Sequence, residues 1–248
     1  MCRHLAYLGP PVSLRSLLFD PPYSLVRQSW APRDMRGGGT VNADGFGVGW
    51  YPGDGDPVRY RRAQPIWGDV TLPGLAEVTT AGAVLAAVRS ATVGMPVQES
   101  AAAPFAEGRW LFSHNGVVRG WPDSVVSLAA ALPVRDLLTL DAPTDSALLW
   151  ALLRHRLRSG VDPAEAVAAT VAEVEKAAPG SRLNLLLTDG RTVVASAAGH
   201  ALSVRATPEA VLLASEPHDD EPGWRPVPTG QLVVATSTSV RTRALAGA

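Results

Sequence analysis

"MCRHLAYLG", residues 1–9, holds the only cysteine of the chain at position 2 and runs straight into a mostly apolar stretch at 3–8. A short apolar run reads as a strand, so the sequence sets one thiol at the start of a strand. Three plain explanations exist for a lone cysteine: a small buried hydrophobe, a metal ligand, or an accident at a fraying terminus. Cys2 and His4 share one face of the strand. The remaining histidines, at 114, 155, 200 and 218, supply no second pair with ligand spacing, so no metal is expected. A fourth explanation accounts for the position itself. Removal of Met1 would leave Cys2 with a thiol and a free α-amine on adjacent carbons. An α-amine has a pKa of about 7.7–8.0 and can take the thiol proton near neutral pH. Nucleophile and base would then belong to one residue.

Bulk properties remove several function classes. The formal charge is −1 with a pI near 6.5 and no basic stripe, which argues against a nucleic-acid surface. The longest apolar runs, such as "SALLWALL" at 146–153, are too short to span a membrane. No secretory segment opens the chain, and one cysteine forms no internal disulfide, so a cytoplasmic location is expected. A hydrophobic share of 46% against 18% charged suits a compact enzyme or binding domain, read as one domain over 1–248.

Outward from the first strand, "GFGVGWY" (45–51) alternates glycine with Phe46, Val48 and Trp50. That gives one bulky face and one bare face that something can approach closely. "AVLAAVRSA" (83–91) and "RWLFSHNG" (109–116) read as buried strands. Three helices are expected at 122–132, 144–157 and 162–178; the last opens with Asp162, Pro163 and Glu165 as a capping box. Strands return at 182–189, 191–199, 201–207, 210–216 and 230–238, with Asp189-Gly190 marking a hairpin. Strands, helices, then strands again make an α+β layered fold and not a doubly wound sheet. "SEPHDDEPGWRPVP" (215–228) reads as a long polar loop.

A cysteine attacking an amide needs donors for the oxyanion. "SHNG" (113–116) offers the Asn115 side-chain amide and the Gly116 backbone N–H. "MCRHLAYLG", "NADGFGVGW" (42–50), "VRSATVG" (88–94), "HNG" (114–116) and "TDS" (144–146) occur in the order found in class II glutamine amidotransferases, and the whole chain resembles that family of N-terminal-nucleophile hydrolases. Further stretches, "PPYSL…QSWAPR" (21–33), "VRSATVGMPV" and "ASEP…DDEPGWRPVP", are similar to its subfamily of stand-alone amidohydrolases that release glutamate from γ-glutamyl-hercynylcysteine sulfoxide in ergothioneine biosynthesis.

The resemblance implies a four-layer α-β-β-α sandwich, no cofactor, a small-molecule γ-glutamyl substrate and no obligate protein partner. It assigns Cys2 as nucleophile and Asn115 with Gly116 as oxyanion hole. Arg89 would grip the α-carboxylate of the γ-glutamyl group, with Thr92 adding a hydroxyl, and Asp145 would receive its α-ammonium. A bidentate guanidinium suits a carboxylate. Arg89 pairing with a nearby acid, and Asp145 serving as a helix N-cap, stay open as alternatives. Ser90 and His114 flank the motifs; Asn42, Asp44 and the glycines of 45–49 are expected to shape the pocket wall. Synthase-type members commonly carry arginine–aromatic–alanine–threonine–histidine–glycine, where this chain has "RSATVG" at 89–94. That departure favours the stand-alone subfamily, as does the lack of a synthase domain after the sandwich. The implied leaving group carries a trimethylammonium, for which Trp224 beside Asp219, Asp220 and Glu221 is the candidate site, with Trp30 a second. Two rival readings remain: a glutaminase subunit passing ammonia to a separate synthase, and a catalytically silent γ-glutamyl-binding protein.

Overall fold

The computed structural model describes residues 2–35 and 41–245. The first half forms β1 (Arg3–Ser13), α1 (Leu14–Leu18), α2 (Leu25–Gln28), β2 (Phe46–Trp50), β3 (Val58–Arg62), α3 (Leu72–Val78), β4 (Thr80–Val88), β5 (Phe105–Glu107) and β6 (Trp110–Val117). Helices α4 (Val126–Ala130), α5 (Val134–Leu138), α6 (Asp145–Arg158) and α7 (Pro163–Ala177) follow. The chain then returns to strands: β7 (Arg182–Thr188), β8 (Val193–Ala197), β9 (Ser203–Ala206), β10 (Val211–Ala214), β11 (Trp224–Pro226), β12 (Gln231–Thr236) and β13 (Ser239–Ala244).

Among the described residues these strands make a seven-stranded sheet, ordered β11-β9-β10-β1-β4-β2-β3, and a six-stranded sheet, β13-β12-β8-β7-β6-β5. β1 sits inside the first sheet, antiparallel to β10 on one side and β4 on the other. Three apolar clusters fill three gaps. Leu5, Tyr7, Phe46 and Val84 pack outward against Leu14, Leu18 and Leu72 of α1 and α3. Ala6, Leu8, Leu85, Leu111, Leu186 and Val233 fill the space between the sheets. Phe112, Leu185 and Val194 meet Trp150, Leu153, Val167 and Val174 of α6 and α7. The layers therefore run α-β-β-α, as expected.

Local chemistry explains most boundaries. Asp162 caps α7 by accepting from the Ala164 and Glu165 amides, with Pro163 at the first helical position. The expected return bond from Glu165 is replaced by an ion pair to Arg243 on β13. α6 is buried nearly all round, and its Trp150 stacks on Phe112 with ring centroids 5.6 Å apart. The helix expected over 122–132 is broken: a 3-10 turn covers Asp123–Val125 and α4 covers only Val126–Ala130. The outer layer over the first sheet escaped the sequence pattern because α1, α2 and α3 are five, four and seven residues long, too short to display a helical period. Ser13 and Ser24 cap the first two. β11 interrupts the polar loop expected over 215–228.

The bare face of β2 is approached by the second sheet. A Cβ on Gly47 would lie 2.3 Å from the Ala103 carbonyl oxygen, and one on Gly49 would lie 2.7 Å from a Leu111 methyl. At Gly47 and Gly49 the close approach of these atoms leaves no room for a side chain. Gly47→Ala is accordingly expected to cost about 1–3 kcal/mol by overpacking. Gly53→Ala, where a Cβ meets nothing within 4 Å, should leave the unfolding midpoint in urea unchanged. Equal midpoints for both variants would contradict this packing.

Candidate active site

The site lies at one end of the sandwich because strand directions bring four chain ends together. Tyr51, whose N–H bonds to Ala83 near the middle of the first sheet, donates its hydroxyl proton to the Arg109 carbonyl just before β6. His4, near the start of β1, instead meets Ser113 further along β6, with Nδ1 3.2 Å from Oγ. The beginning of β1 therefore lies over the end of β6. Register pairs Arg3 with Val88, so Cys2 and Arg89 are each the next residue out on neighbouring strands. α6 starts at the same end: the Asp145 carboxylate accepts from the Val118 N–H at 3.0 Å, just past β6.

Cys2 is half-buried, and its thiol points to the Ser90 carbonyl at 3.8 Å. Ser90 thus contributes through its backbone. Removal of Met1 lies outside the described residues. Arg3 donates to the Cys2 carbonyl at 2.9 Å and to the Asp34 carbonyl, tying the nucleophile to the 31–35 segment.

Asn115 is fully buried between the sheets. Its Nδ2 donates to Ser215 Oγ at 3.1 Å, and the same Oγ accepts the His4 backbone N–H at 2.9 Å. One Nδ2 proton is thereby used, and among the described residues the other meets no acceptor. Gly116 must be glycine for packing alone, since a Cβ there would sit 1.7 Å from the Arg182 carbonyl oxygen. His114 points to the other face of β6, where Nε2 faces the Arg182 carbonyl at 2.9 Å and Nδ1 faces Ser146 Oγ at 2.9 Å. A carbonyl only accepts, so Nε2 donates to Arg182, while Nδ1 lies within hydrogen-bond distance of the Ser146 hydroxyl. His114 therefore braces α6 against β7.

Arg89 is 9% exposed, and among the described residues no carboxylate lies within ion-pair distance of it. One guanidinium nitrogen donates to the carbonyls of Pro96, at 2.9 Å, and Asp44, at 3.5 Å. The alternative that Arg89 serves an acidic neighbour is thus removed. The alternative for Asp145 falls too: Thr144 is the N-cap of α6, accepting from Ala147, and Asp145 is the first helical residue. Its carboxylate holds the amides of Val118 and Ser146 and, among the described residues, meets no cation. Thr92 is exposed and, with Met95, Val118, Trp121, Pro143 and Arg182, lines a cleft of about 490 Å³. Asp145 anchors the Val118 wall of that cleft, and Arg89 holds the Pro96 end of the opposite turn.

Not every candidate arrives here. Asn42 bonds to Ser29 and Gln28 carbonyls on the α2 side, while Asp44 clips the Ala91 amide at 2.8 Å and so shapes the approach to Arg89. Trp30 has its ring face covered by Arg27 at 4.0 Å. Trp224 lines a second cleft, of about 640 Å³, with Arg33, Ser215, Glu216, Asp219 and Asp220. Asp34, Ala201 and Ser215 of this cleft also border the small hollow that contains Asn115 and His200. The two clefts thus flank the nucleophile end. Sequence reasoning missed Ser215, Glu216 and Arg3; the only local signal was a polar "SEP" immediately after a buried strand. Among the described residues no three His, Cys, Asp or Glu side chains converge to hold a metal ion, and no helix is long and apolar enough to cross a membrane.

Comparison with known proteins adds the following. The profile for class-II glutamine amidotransferases matches residues 14–211. A Mycolicibacterium smegmatis protein named gamma-glutamyl-hercynylcysteine sulfoxide hydrolase is 45% identical over 94% of this chain and 95% of its own. A Mycobacterium tuberculosis protein of the same name is 42% identical over 99% of this chain and 97% of its own. The structure of a glutamine aminotransferase class-II domain protein from Silicibacter pomeroyi superposes with a TM-score of 0.72 at 24% identity, covering 99% of this chain and all of that one, which establishes the shared fold.

Two buried histidines at this end give a pH signature. Burial pushes His4 down to about 3; burial, then the Arg182 charge, pushes His200 to about 4. The unfolded chain takes up protons at both from about pH 6.5 downward, while the folded chain resists until these lower values. Stability should therefore be lost as pH falls from 6.5 toward 3. His200→Gln keeps an acceptor for Arg182 but does not titrate, so urea midpoints should decline less steeply between pH 6.5 and 4 than in the wild type. Identical slopes would refute the assignment.

Proposed function

The chain belongs to the class II glutamine amidotransferase family, and from that membership we propose that it hydrolyses the γ-glutamyl amide of γ-glutamyl-hercynylcysteine sulfoxide, releasing glutamate and hercynylcysteine sulfoxide. One observation carries the site assignment: Arg89, a buried guanidinium with no carboxylate partner among the described residues, and Asp145, a buried carboxylate with no cation partner among them, stand at the same end of the sandwich as the only cysteine. Those two charges match the α-carboxylate and α-ammonium of a glutamyl group. Near-full-length similarity to two hydrolases named for this substrate supports the choice of leaving group.

In this reading Cys2, freed of Met1, passes its thiol proton to its own α-amine and attacks the γ-carbonyl carbon. The negative charge that develops on oxygen is received by the free Nδ2 proton of Asn115 and the Gly116 N–H. The carbon–nitrogen bond breaks as the amine leaves with a proton from the α-ammonium. Water then cleaves the γ-glutamyl thioester, giving glutamate and restoring the thiol. Ser215 acts as a positioning residue by fixing the other Asn115 proton. Arg89, Thr92 and Asp145 hold the glutamyl half, and the Trp224 cleft takes the amine half. The whole of 1–248 serves as one unit in the cytoplasm, without an obligate partner or a cofactor. An ammonia-delivering role is the weaker alternative, since the second cleft has room for a leaving group far larger than ammonia.

Cys2→Ala should abolish glutamate release while the folded protein still binds the conjugate, as measured by calorimetry. Arg89→Lys keeps the charge but loses the bidentate fork, so KM should rise about tenfold or more, with alkylation of Cys2 by iodoacetamide unaffected. Turnover by Cys2→Ala protein would end the mechanism. An unchanged KM in Arg89→Lys would remove the clamp.

A further inference from the structure

The cleft lined by Trp224 contains five acidic residues, Asp34, Glu216, Asp219, Asp220 and Glu221, and one arginine, Arg33. Their charges are not equivalent. Asp219 is paired with Arg205 at 2.9 Å and accepts the Trp224 indole N–H at 2.7 Å. Asp220 is paired with Arg33 at 3.0 Å and accepts the Tyr23 hydroxyl at 2.7 Å. Glu216 differs from both. It is 3% exposed, and among the described residues its carboxylate accepts only the backbone N–H groups of Arg33, at 3.2 Å, and Asp34, at 2.6 Å. Among the described residues it makes no ion pair. Amide dipoles orient a carboxylate without supplying a net charge opposite to its own. In a partly dehydrated cleft that charge acts over a longer range than in water.

We propose that Glu216 is the counter-charge that selects a permanently cationic amine in this cleft, with Trp224 as its aromatic wall. The inference rests on the function proposed above and names what recognises the half of the substrate that leaves. A trimethylammonium cannot donate hydrogen bonds, so paired carboxylates such as Asp219 and Asp220 offer it little. An unneutralised carboxylate and an indole are what such a group can use. Position agrees: Ser215, the residue before Glu216, holds Asn115, and the cleft shares Ser215 with the hollow around that side chain. An amine leaving Cys2 past Asn115 enters beside Glu216. The sequence pointed instead to Asp219, Asp220 and Glu221; the structure shows two of these already matched to arginines.

The test is equilibrium binding of hercynylcysteine sulfoxide, the amine product, and of an analogue with a neutral tert-butyl group in place of the trimethylammonium. Binding is measured by calorimetry on the full-length protein, so it stands independently of turnover. Wild type should prefer the cationic ligand about tenfold. Glu216→Gln should erase most of that preference while changing affinity for the neutral analogue about twofold at most. Trp224→Leu should reduce the preference in the same direction. Equal losses on both ligands in Glu216→Gln would mean that Glu216 only anchors the 33–34 backbone. An absence of preference in the wild type would also overturn the proposal. Failure to hydrolyse the conjugate while the binding preference persists would instead count against the amidohydrolase reading.

Discussion

The gap between the two face-packed sheets is filled mainly by apolar side chains, so a polar group buried there is costly unless it is hydrogen-bonded. At one end of this gap the partners are His4, Ser113, Asn115 and Ser215, drawn from β1, β6 and the residue after β10. Ser215 ties the three elements together, accepting from the His4 backbone and the Asn115 amide. Leucine, alanine and valine fill the remainder of the gap. This polar end fixes where β1 begins relative to where β6 ends, and with that the position of Cys2 relative to Asn115. Among the described residues the thiol has one hydrogen-bond contact, with the Ser90 carbonyl.

Around this end selected charges have no opposite partner among the described residues. Arg89 is anchored by carbonyls and Asp145 by amides; Glu216 is anchored by amides as well. Neutral anchors set geometry without cancelling charge. Elsewhere the molecule pairs its charges freely, as in Arg158 with Asp136 at 2.5 Å and Arg156 with Glu173 at 2.5 Å. The contrast divides groups that build the fold from groups available to a zwitterionic or cationic ligand. Asp136 is itself buried, so its pairing with Arg158 keeps a charge from being left uncompensated in the interior. The unpaired buried groups carry a desolvation cost that a bound ligand would offset.

The 21–35 segment connects the Trp224 cleft to Cys2. Arg33 lies over the Tyr23 ring at 4.1 Å and bonds Asp220, while Glu216 holds the following amide. Arg3 joins the Asp34 carbonyl to that of Cys2. Ring, ion pair and backbone contacts thus fasten one strap to the 216–220 stretch and to the start of β1. The proline-rich "APR" and "SEP" segments, which show no period of their own, gain their order from each other.

Local pattern determined a good deal. Alternation and apolar runs located β1, β2, β4, β6 and β7; an all-round apolar stretch located α6; Asp162 and Pro163 located the start of α7. The thiol at position 2 and the Asn115-Gly116 pair, the proposed nucleophile and its proposed donors, could also be picked out, because such roles call for chemical types as well as places. The short helices α1 to α3 were not, since helices of four to seven residues are formed by caps and by burial against a sheet. Nor was the face on which each polar residue stands. His114 and Asn115 are neighbours in sequence, yet one braces α6 and the other faces the gap, a division set by strand parity and register. Which carboxylates are neutralised was equally hidden: Asp220 meets Arg33 from 187 positions away, and Ser215 meets His4 from 211. Sequence determines what depends on near neighbours along the chain. Charge pairing and site geometry depend on partners that only folding makes near.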